Sequence, residues 1–422
     1  MPPTTLLIPG PTPLPPAVLR AMNRQMVNHR GPAFGEMVRE LLDGLKTIFD
    51  TTNDIIPLNA TGTGGLEAAI VNFLSAGDRV LSVNNGSFAE RWAAIAEQYG
   101  VRVDRVTAEW GQPTPLAGVG ERLRADTGHE YRAVLVTQSE TSTGVLNDVR
   151  GVRQALGGHP ALLMVDGVSS IGAIPIETDG WGVDVAVTAS QKALMSPPGL
   201  AFVSVSERAW QAAERSSLPK YYFDLRKARA QIHGTLPGTP FTTAVSIVFG
   251  AHAAVGLILR EGLPKVFERH RRLGRMARAA ARGMGLRTLP NDAYAVDTVT
   301  PILMPDGANA QAVSARAREA YDVVIGSGVT RYLKFELIRI GHLGYTKPEW
   351  LLAGLEALGR SLGDLGHPVD TEAGLVAARQ QLRLRPPRAR GAASNAPNQT
   401  GRANNDAHAS AAGARPASAA GD

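Results

Sequence analysis

The 422-residue sequence contains no cysteine, so it can form no disulfide, no thiolate metal site and no cysteine nucleophile. It also lacks any apolar run approaching the roughly 18 residues that a membrane-spanning helix needs. Its start, "MPPTTLLIPGPTPLPP", has no basic end and too short an apolar run for a signal peptide. These absences predict a cytoplasmic protein that has no membrane partner.

An excess of charge is also missing from most of the chain. The formal net charge is +6, but the residues from Arg383 to Asp422 contain six arginines and two aspartates. This tail has a net charge of +4, which leaves +2 for the much longer part before it. A nucleic-acid-binding face is therefore not expected. The tail is rich in Ala, Gly, Pro, Asn and Ser and has no aromatic residue, which predicts disorder from about residue 385.

Before the tail, β-rich runs such as "RVLSVNN", "YRAVLVTQS", "ALLMVDGV" and "VDVAVTAS" alternate with helical stretches. Apolar runs without polar alternation predict strands covered on both faces, hence a mostly parallel sheet with crossover helices. Later β-rich pieces with helices between them predict a smaller α+β domain. We predict an α/β fold with an N-terminal arm (1–20), a large domain (21–250), a small C-terminal domain (251–372) and an extension (373–422).

The stretch "NATGTGGLEAAIVNFL" opens an apolar helix with Thr61, Gly62, Thr63, Gly64 and Gly65. Free backbone amides and the helix dipole at such a start suit a phosphate group. The stretch is not a Walker loop, because no Gly-Lys-Ser/Thr follows, and it lacks the third glycine of a dinucleotide fingerprint. An ordinary glycine turn is the alternative interpretation.

Three charged residues follow or interrupt apolar runs. Asp166 ends "ALLMVD", where a carboxylate either meets a positive group or caps a helix. Lys192 follows "VDVAVTAS" and is either a nucleophile toward carbonyl groups or a solvated loop residue. Arg339 lies within "FELIRIGHLG" and binds either a ligand carboxylate or an internal acid.

Together these features describe a pyridoxal-phosphate site. The phosphate lies at the helix start, and Lys192, 26 residues after Asp166, links covalently to the cofactor. Asp166 keeps the ring nitrogen protonated, so that the ring accepts electrons. Arg339 takes the carboxylate of the substrate.

Eight motifs occur in family-like order: "PGPTPLP", "NHRGPAF", "TGTGGLEAA", "NNGSFAERW", "SETSTGV", "VDGVSSIG", "SQKALMSPPG" and "RIGHLG". Over about residues 5 to 370, the chain resembles the class V, fold-type I aminotransferases of the alanine/serine–glyoxylate group. The resemblance implies that pyridoxal 5'-phosphate is the cofactor. It also implies cofactor-binding roles for further residues. They are Thr63 and Gly64 (phosphate, through backbone amides), Gln191 (phosphate), Phe88 (stacking on the ring), Thr141 (ring hydroxyl) and Val168 (opposite ring face). The structural alternative is a core aromatic residue for Phe88 and a turn threonine for Thr141.

The resemblance further implies a homodimer in which "GTPFTT" reaches the phosphate of the neighbouring subunit. Many glyoxylate enzymes of the family have a tyrosine where this chain has Thr239, with Thr242 three residues on. A threonine hydroxyl can still donate to phosphate, but the change weakens a specific assignment to glyoxylate.

The sequence therefore predicts amino-group transfer from a small amino acid, alanine or serine, to a small 2-oxo acid, glyoxylate or pyruvate. A class V transaminase for an aminophosphonate or for pyridoxamine is one alternative. A scaffold that binds the cofactor without turnover is the other. A cysteine desulfurase is excluded, because it needs a cysteine to hold the sulfur.

Overall fold

The computed structural model describes residues 5–329, 333 and 336–383. By contacts the chain divides into two compact units, Met1–Leu384 and Arg385–Asp422. The predicted disorder from about residue 385 lies outside the described residues.

The strands of the described residues are short and mostly buried. They are β1 (Thr5–Leu7), β2 (Asp54–Leu58), β3 (Arg79–Asn84), β4 (Arg102–Thr107), β5 (Tyr131–Thr137), β6 (Ser139–Glu140), β7 (Val145–Leu146), β8 (Leu162–Asp166), β9 (Val185–Ala189), β10 (Ala201–Val205), β11 (Val299–Leu303), β12 (Val323–Ser327) and β13 (Leu337–Gly341).

Helices connect these strands. They are α1 (Pro16–Met22), α2 (Pro32–Phe49), α3 (Gly62–Phe73), α4 (Ser87–Gln98), α5 (Leu116–Ala125), α6 (Val149–Leu156), α7 (Glu207–Arg215), α8 (Leu225–Ile232), α9 (Val245–Glu261), α10 (Leu263–Gly283), α11 (Ala310–Tyr321), α12 (Pro348–Asp364) and α13 (Thr371–Arg383).

The larger sheet has seven strands in the order β2-β10-β9-β8-β5-β3-β4. Strand β10 runs antiparallel to both of its neighbours, and the other pairs are parallel. Every residue of β8, β9 and β10 is buried, because helices cover both faces. The predicted α/β architecture with a mostly parallel sheet is confirmed.

The smaller sheet has the order β1-β12-β13-β11. Strand β1 belongs to the segment predicted as an N-terminal arm, and it pairs in parallel with β12, Thr5 opposite Val323. The predicted boundary between residues 250 and 251 falls inside α9, and the one at 373 falls inside α13. Leu375 and Ala378 of α13 pack in the core of the smaller sheet. The division into domains at those numbers stays a prediction.

Helices α9 and α10 meet at Gly262 with a bend of 91°. Within the part of the chain that the structure describes, no single helix has both the length and the apolar character needed to cross a membrane. The bent pair α9 and α10 passes that test by length and composition only.

Candidate active site

The carboxyl end of the larger sheet brings two predicted catalytic residues together. Asp166 is the last residue of β8, and Lys192 lies three residues beyond the neighbouring strand β9. The carboxyl ends of parallel strands meet at one edge of a sheet, which explains why residues distant in sequence become neighbours there. The proximity of Asp166 and Lys192 thus follows from the strand order.

Asp166 is buried and has few partners. Its Oδ1 accepts a hydrogen bond from the Val168 backbone N–H at 2.9 Å, and its Oδ2 accepts one from the Thr137 hydroxyl at 3.4 Å. No cation forms an ion pair with Asp166 among the described residues. Burial raises the pKa of this carboxyl to about 6, and the charge of nearby Glu140 adds to the increase.

The amine of Lys192 lies beneath the N-terminal segment. Its Nζ donates to the backbone oxygen of Pro9 at 2.5 Å. Burial, with the positive charge of Arg339 as the second cause, lowers its pKa to about 8. Gly10 makes this approach feasible, since a Cβ there would lie 2.6 Å from the Lys192 Cδ. The lysine thus has the lowered pKa of an amine nucleophile.

A cavity of about 150 Å³ opens between these groups and the start of α3. Its walls contain six predicted site residues, Thr63, Phe88, Asp166, Val168, Gln191 and Lys192, together with Thr61, Gly62, Leu66, Arg91, Ser139 and Ser169. The predicted residue Gly64 is not in the wall, and a Cβ there would instead meet Ala60 and Phe223.

The start of α3 offers free backbone donors to this cavity. The side chain of its N-cap residue, Thr61, does not bond to the first turn. A Cβ at Gly62 would lie 2.7 Å from a Val168 methyl group, so the helix start packs directly against the residue two positions after Asp166. Unsatisfied amides at a helix start attract an anion.

Two buried polar atoms near the cavity have no hydrogen-bond partner within the part of the chain that the structure describes. They are the hydroxyl oxygen of Thr141 and the Oε1 of Gln191, both predicted to contact the cofactor. Thr141 does not line the cavity itself, and its backbone oxygen accepts from Arg339. A buried polar atom without a partner is costly, so a bound polar ligand would satisfy it.

Arg339 reaches this edge from β13 of the smaller sheet. Its Nε donates to Ser327 O at 3.0 Å and its Nη1 donates to Thr141 O at 3.3 Å. In the described ranges no carboxylate forms an ion pair with it, although the residue is only 8% exposed. Burial lowers the pKa of this guanidinium to about 10. The structural alternative of an internal ion pair therefore finds no support here, and a ligand carboxylate would complete the site.

Glu140 is a buried carboxylate that sequence reasoning missed. Its oxygens accept from the backbone N–H groups of Phe88, Ala89 and Ser142, each at 3.0 Å, and from the Ser142 hydroxyl at 2.5 Å. It thereby anchors the start of α4, which presents Phe88 to the cavity. Burial raises its pKa. The signal was an acid inside an otherwise neutral motif, "SETSTGV".

Thr239 and Thr242 lie away from the cavity of their own chain. The Thr239 hydroxyl donates to Phe241 O at 2.7 Å, and the Thr242 side chain is exposed. The Asn59 amide, just before α3, donates to Thr242 O at 3.0 Å. The segment thus passes beside the helix start without contributing to this cavity.

Sequence reasoning also missed Arg91, Ser139 and Ser169, which line the cavity. Arg91 lies three residues after Phe88 on α4, a spacing that places the two side chains on one helix face. Its guanidinium carbon lies 4.9 Å from the centroid of the Phe88 ring. If "SFAERW" is assigned to a helix, the spacing of three residues predicts that Phe88 and Arg91 lie on the same face.

The combined arrangement has three chemical capacities: it can hold an anion at the start of α3, present a nucleophilic amine, and place a carboxylate against a protonated ring nitrogen. The roles of the individual residues remain predictions.

Comparisons with known proteins agree with this chemistry. The family Aminotransferase class-V matches residues 4–328. The chain is 40% identical over 383 residues to L-aspartate–glyoxylate aminotransferase of Paracoccus denitrificans, covering 90% of this chain and 96% of that protein. It is 40% identical over 376 residues to the soluble hydrogenase 42 kDa subunit of Anabaena cylindrica, covering 88% and 97%.

Among solved structures, the chain is similar to ureidoglycine–glyoxylate aminotransferase from Bacillus subtilis. The TM-score is 0.86 at 28% sequence identity, and the match covers 91% of this chain and 99% of that one. The predicted fold-type I architecture and the resemblance to class V aminotransferases are confirmed.

Proposed function

Because the chain belongs to the class V aminotransferase family, we propose that it transfers the amino group of a small amino acid to a small 2-oxo acid. Alanine and serine are the donors, and glyoxylate and pyruvate the acceptors, that the sequence predicts. The observation that carries the proposal is the proximity of Lys192 and Asp166 at neighbouring strand ends, with Arg339 beyond them, a guanidinium that forms no ion pair within the described residues. Glyoxylate appears in the names of two similar proteins.

The cofactor of this family is pyridoxal 5'-phosphate, and the residues present fit it. The start of α3 would hold the phosphate through its backbone amides, and Gln191 lies in the same cavity wall, where its side-chain N–H group would donate to a phosphate oxygen. Phe88 and Val168 line the cavity where a ring would lie, and the unpartnered Thr141 hydroxyl lies near it. When bound, the cofactor supplies an aldehyde that captures amino groups and a ring that accepts electrons from the substrate Cα–H bond.

The protein side of the reaction is proton transfer and orientation. Lys192 removes the proton from the Cα of the amino donor, and in the second half of the reaction it delivers a proton to the Cα of the former oxo acid, since its pKa of about 8 lets the amine exchange protons near neutral pH. Asp166 holds a proton on the ring nitrogen. Arg339 grips the α-carboxylate through its planar fork, so that the Cα–H bond faces the lysine.

A panel of donors tests the proposed function. The purified holoenzyme is mixed with alanine, serine, pyridoxamine or an aminophosphonate, with glyoxylate or pyruvate as acceptor, and the aminated product is quantified. Production of glycine or alanine from the small amino acids is expected. Turnover confined to pyridoxamine or the aminophosphonate would select that alternative, and cofactor binding without any turnover would select the scaffold.

Thiolate-held iron–sulfur chemistry is excluded by the absence of cysteine.

We also propose a cytoplasmic homodimer with a shared active site. The support is local: Thr242 is exposed beside the start of α3, and the exposed rings of Tyr221 and Tyr222, which are 72% and 48% accessible, stack on Phe241. Such an aromatic patch suits an interface. The hydroxyls of Thr239 and Thr242 would then reach the phosphate of the partner.

Sedimentation at several protein concentrations, with and without cofactor, tests the shared site. Thr242→Val should weaken the dimer and the affinity for the cofactor together, whereas Thr107→Val, on the exposed edge strand β4, should change neither. A fully active monomer at nanomolar dilution would contradict the proposal. Cell fractionation tests the predicted location.

A further inference from the structure

A second arginine, Arg91, lines the same cavity as Lys192 and Asp166. It lies on α4 and faces the cavity from the side of Phe88, whose ring centroid is 4.9 Å from its guanidinium carbon. Within the described residues it forms no ion pair. Its neighbour Glu90 is engaged elsewhere, by Arg105 at 2.9 Å. Arg91 is an exposed residue, and it therefore brings to the cavity wall a solvated positive charge that is open to a ligand.

Arg91 and Arg339 approach the lysine from different elements. Arg91 comes from α4, which packs on the larger sheet, and Arg339 comes from β13 of the smaller sheet. Both charges contribute to lowering the pKa of Lys192, after burial as the main cause. Of the negative groups in this region, Asp166 acts on the amine in the opposite direction, whereas Glu140 accepts from the backbone N–H groups at the start of α4. Two separate cations thus face the place where the amino group reacts.

A donor with a single carboxylate uses only one of these two cations. We propose that Arg91 binds the side-chain carboxylate of a short dicarboxylic amino acid of the aspartate type, while Arg339 binds its α-carboxylate. This inference rests on the proposed function and narrows its donor class. A guanidinium that is held over an aromatic ring is well placed for such a contact, because its planar fork is preorganised and can bind a carboxylate in bidentate fashion.

Steady-state kinetics with glyoxylate as acceptor tests the assignment. For Arg91→Gln, we expect kcat/KM with aspartate to fall about 10- to 100-fold more than kcat/KM with alanine or serine, the range for a lost hydrogen-bonded charge contact, because the charge that Arg91 brings near Lys192 affects all donors alike. Arg91→Lys retains the charge and should recover part of the loss. Arg102→Gln is the matched control, because Arg102 is an exposed arginine at the opposite end of the sheet, bonded to Gly77 O.

A binding measurement complements the kinetics. Succinate carries two carboxylates and no amine, whereas butyrate carries one carboxylate and no amine. Succinate should raise the melting temperature of the wild-type holoenzyme more than butyrate does, and Arg91→Gln should remove the difference. Glutamate, with one more methylene group, should be used less efficiently than aspartate if the two guanidinia fit a short diacid.

Four results would overturn the assignment. They are an equal loss for all donors, a loss of cofactor affinity that places Arg91 on the phosphate, an unchanged preference in Arg91→Gln, and a wild type that uses alanine and serine but not aspartate. In the last case the proposed function stands and only the donor class fails. If the wild type uses no amino acid at all, both fail.

Discussion

The two ends of the seven-stranded sheet use the same residue types in opposite ways. At the amino end, Asp184 precedes β9 and is 3% exposed. It accepts from Leu163 N at 2.8 Å, the Ser206 hydroxyl at 3.1 Å and Arg208 Nη1 at 3.2 Å. At the carboxyl end, Asp166 is about as deeply buried, at 5%, but among the described residues it meets no cation within hydrogen-bonding distance.

The lysines and arginines show the same contrast. Lys220 Nζ donates to three oxygens of its own loop, whereas Lys192 Nζ has one. Arg278 meets Asp297 at 3.1 Å, whereas Arg339, as far as the described ranges extend, bonds only to backbone oxygens. Buried charges with complete partner sets stabilise the fold, and buried charges with incomplete sets await a ligand.

Lys192→Ala should lose at least about 10³-fold in turnover, because both covalent attachment of the cofactor and proton transfer at the substrate Cα need its amine. Borohydride reduction followed by peptide mapping should place the cofactor on Lys192 in the wild type. Lys220→Ala is the control and should keep its activity. A reduced adduct on another lysine would refute the assignment.

The pH dependence of cofactor attachment to the apoprotein sharpens this test. Only the neutral amine attacks, so the attachment rate should rise as the pH increases through about 8, the pKa of Lys192. Arg339 lowers that pKa, so Arg339→Gln should move the curve to higher pH. An unshifted curve would show that Arg339 does not act on the lysine.

Asp166→Asn should reduce kcat by about 10²-fold or more while the melting temperature changes little, since an amide cannot keep the ring nitrogen protonated. Asp184→Ala should lower the melting temperature and leave kcat nearly unchanged. It leaves buried donors without an acceptor, which costs about 1–3 kcal/mol in the free energy of unfolding. Denaturant titration and kinetics on both variants separate the effects. Equal changes in both would remove the distinction between the two ends of the sheet.

Arg339→Lys should raise KM for amino and oxo acids about 10-fold, with cofactor affinity unchanged, because lysine keeps the charge but loses the planar fork. Arg278→Lys is the matched variant, as Arg278 is 7% exposed and ion-paired. It should lower stability and leave KM as it was. Unchanged substrate binding in Arg339→Lys would make Arg339 a structural residue.

Glu140 refines the comparison, because it lies at the carboxyl end yet has four hydrogen-bond donors. Glu140→Gln should therefore behave like a structural variant. It should lower the free energy of unfolding by about 1–3 kcal/mol, since its amide group faces backbone N–H donors, with only a few-fold loss in kcat. Glu90→Gln removes an exposed ion pair with Arg105 and should cost less than about 1 kcal/mol. A loss of activity without a loss of stability in Glu140→Gln would place Glu140 in the chemistry instead.

The sequence alone indicates the alternation of several strands and helices and places Asp166 and Lys192 at or just beyond the ends of two of those strands. Those features are local: an apolar run too short for a helix marks a buried strand, and a charged residue directly after it must lie at the strand end. The glycine-rich start of α3 is local in the same way. Its contribution to the cavity wall could therefore be predicted from the sequence. Thr61 and Gly62 are part of that wall, whereas Gly64 is not.

Only the tertiary structure decided which charged groups find partners. In sequence, Arg278 and Arg339 are both arginines within apolar stretches, yet Arg278 packs beside Asp297 and Arg339 beside carbonyl oxygens. The presence of Arg91 in the cavity and the four donors around Glu140 likewise depend on how α4 packs against the segment after β5. Hydrogen bonds and ion pairs form over about 3–4 Å between segments distant in the chain, so the packed fold alone determines which charges stay unpaired.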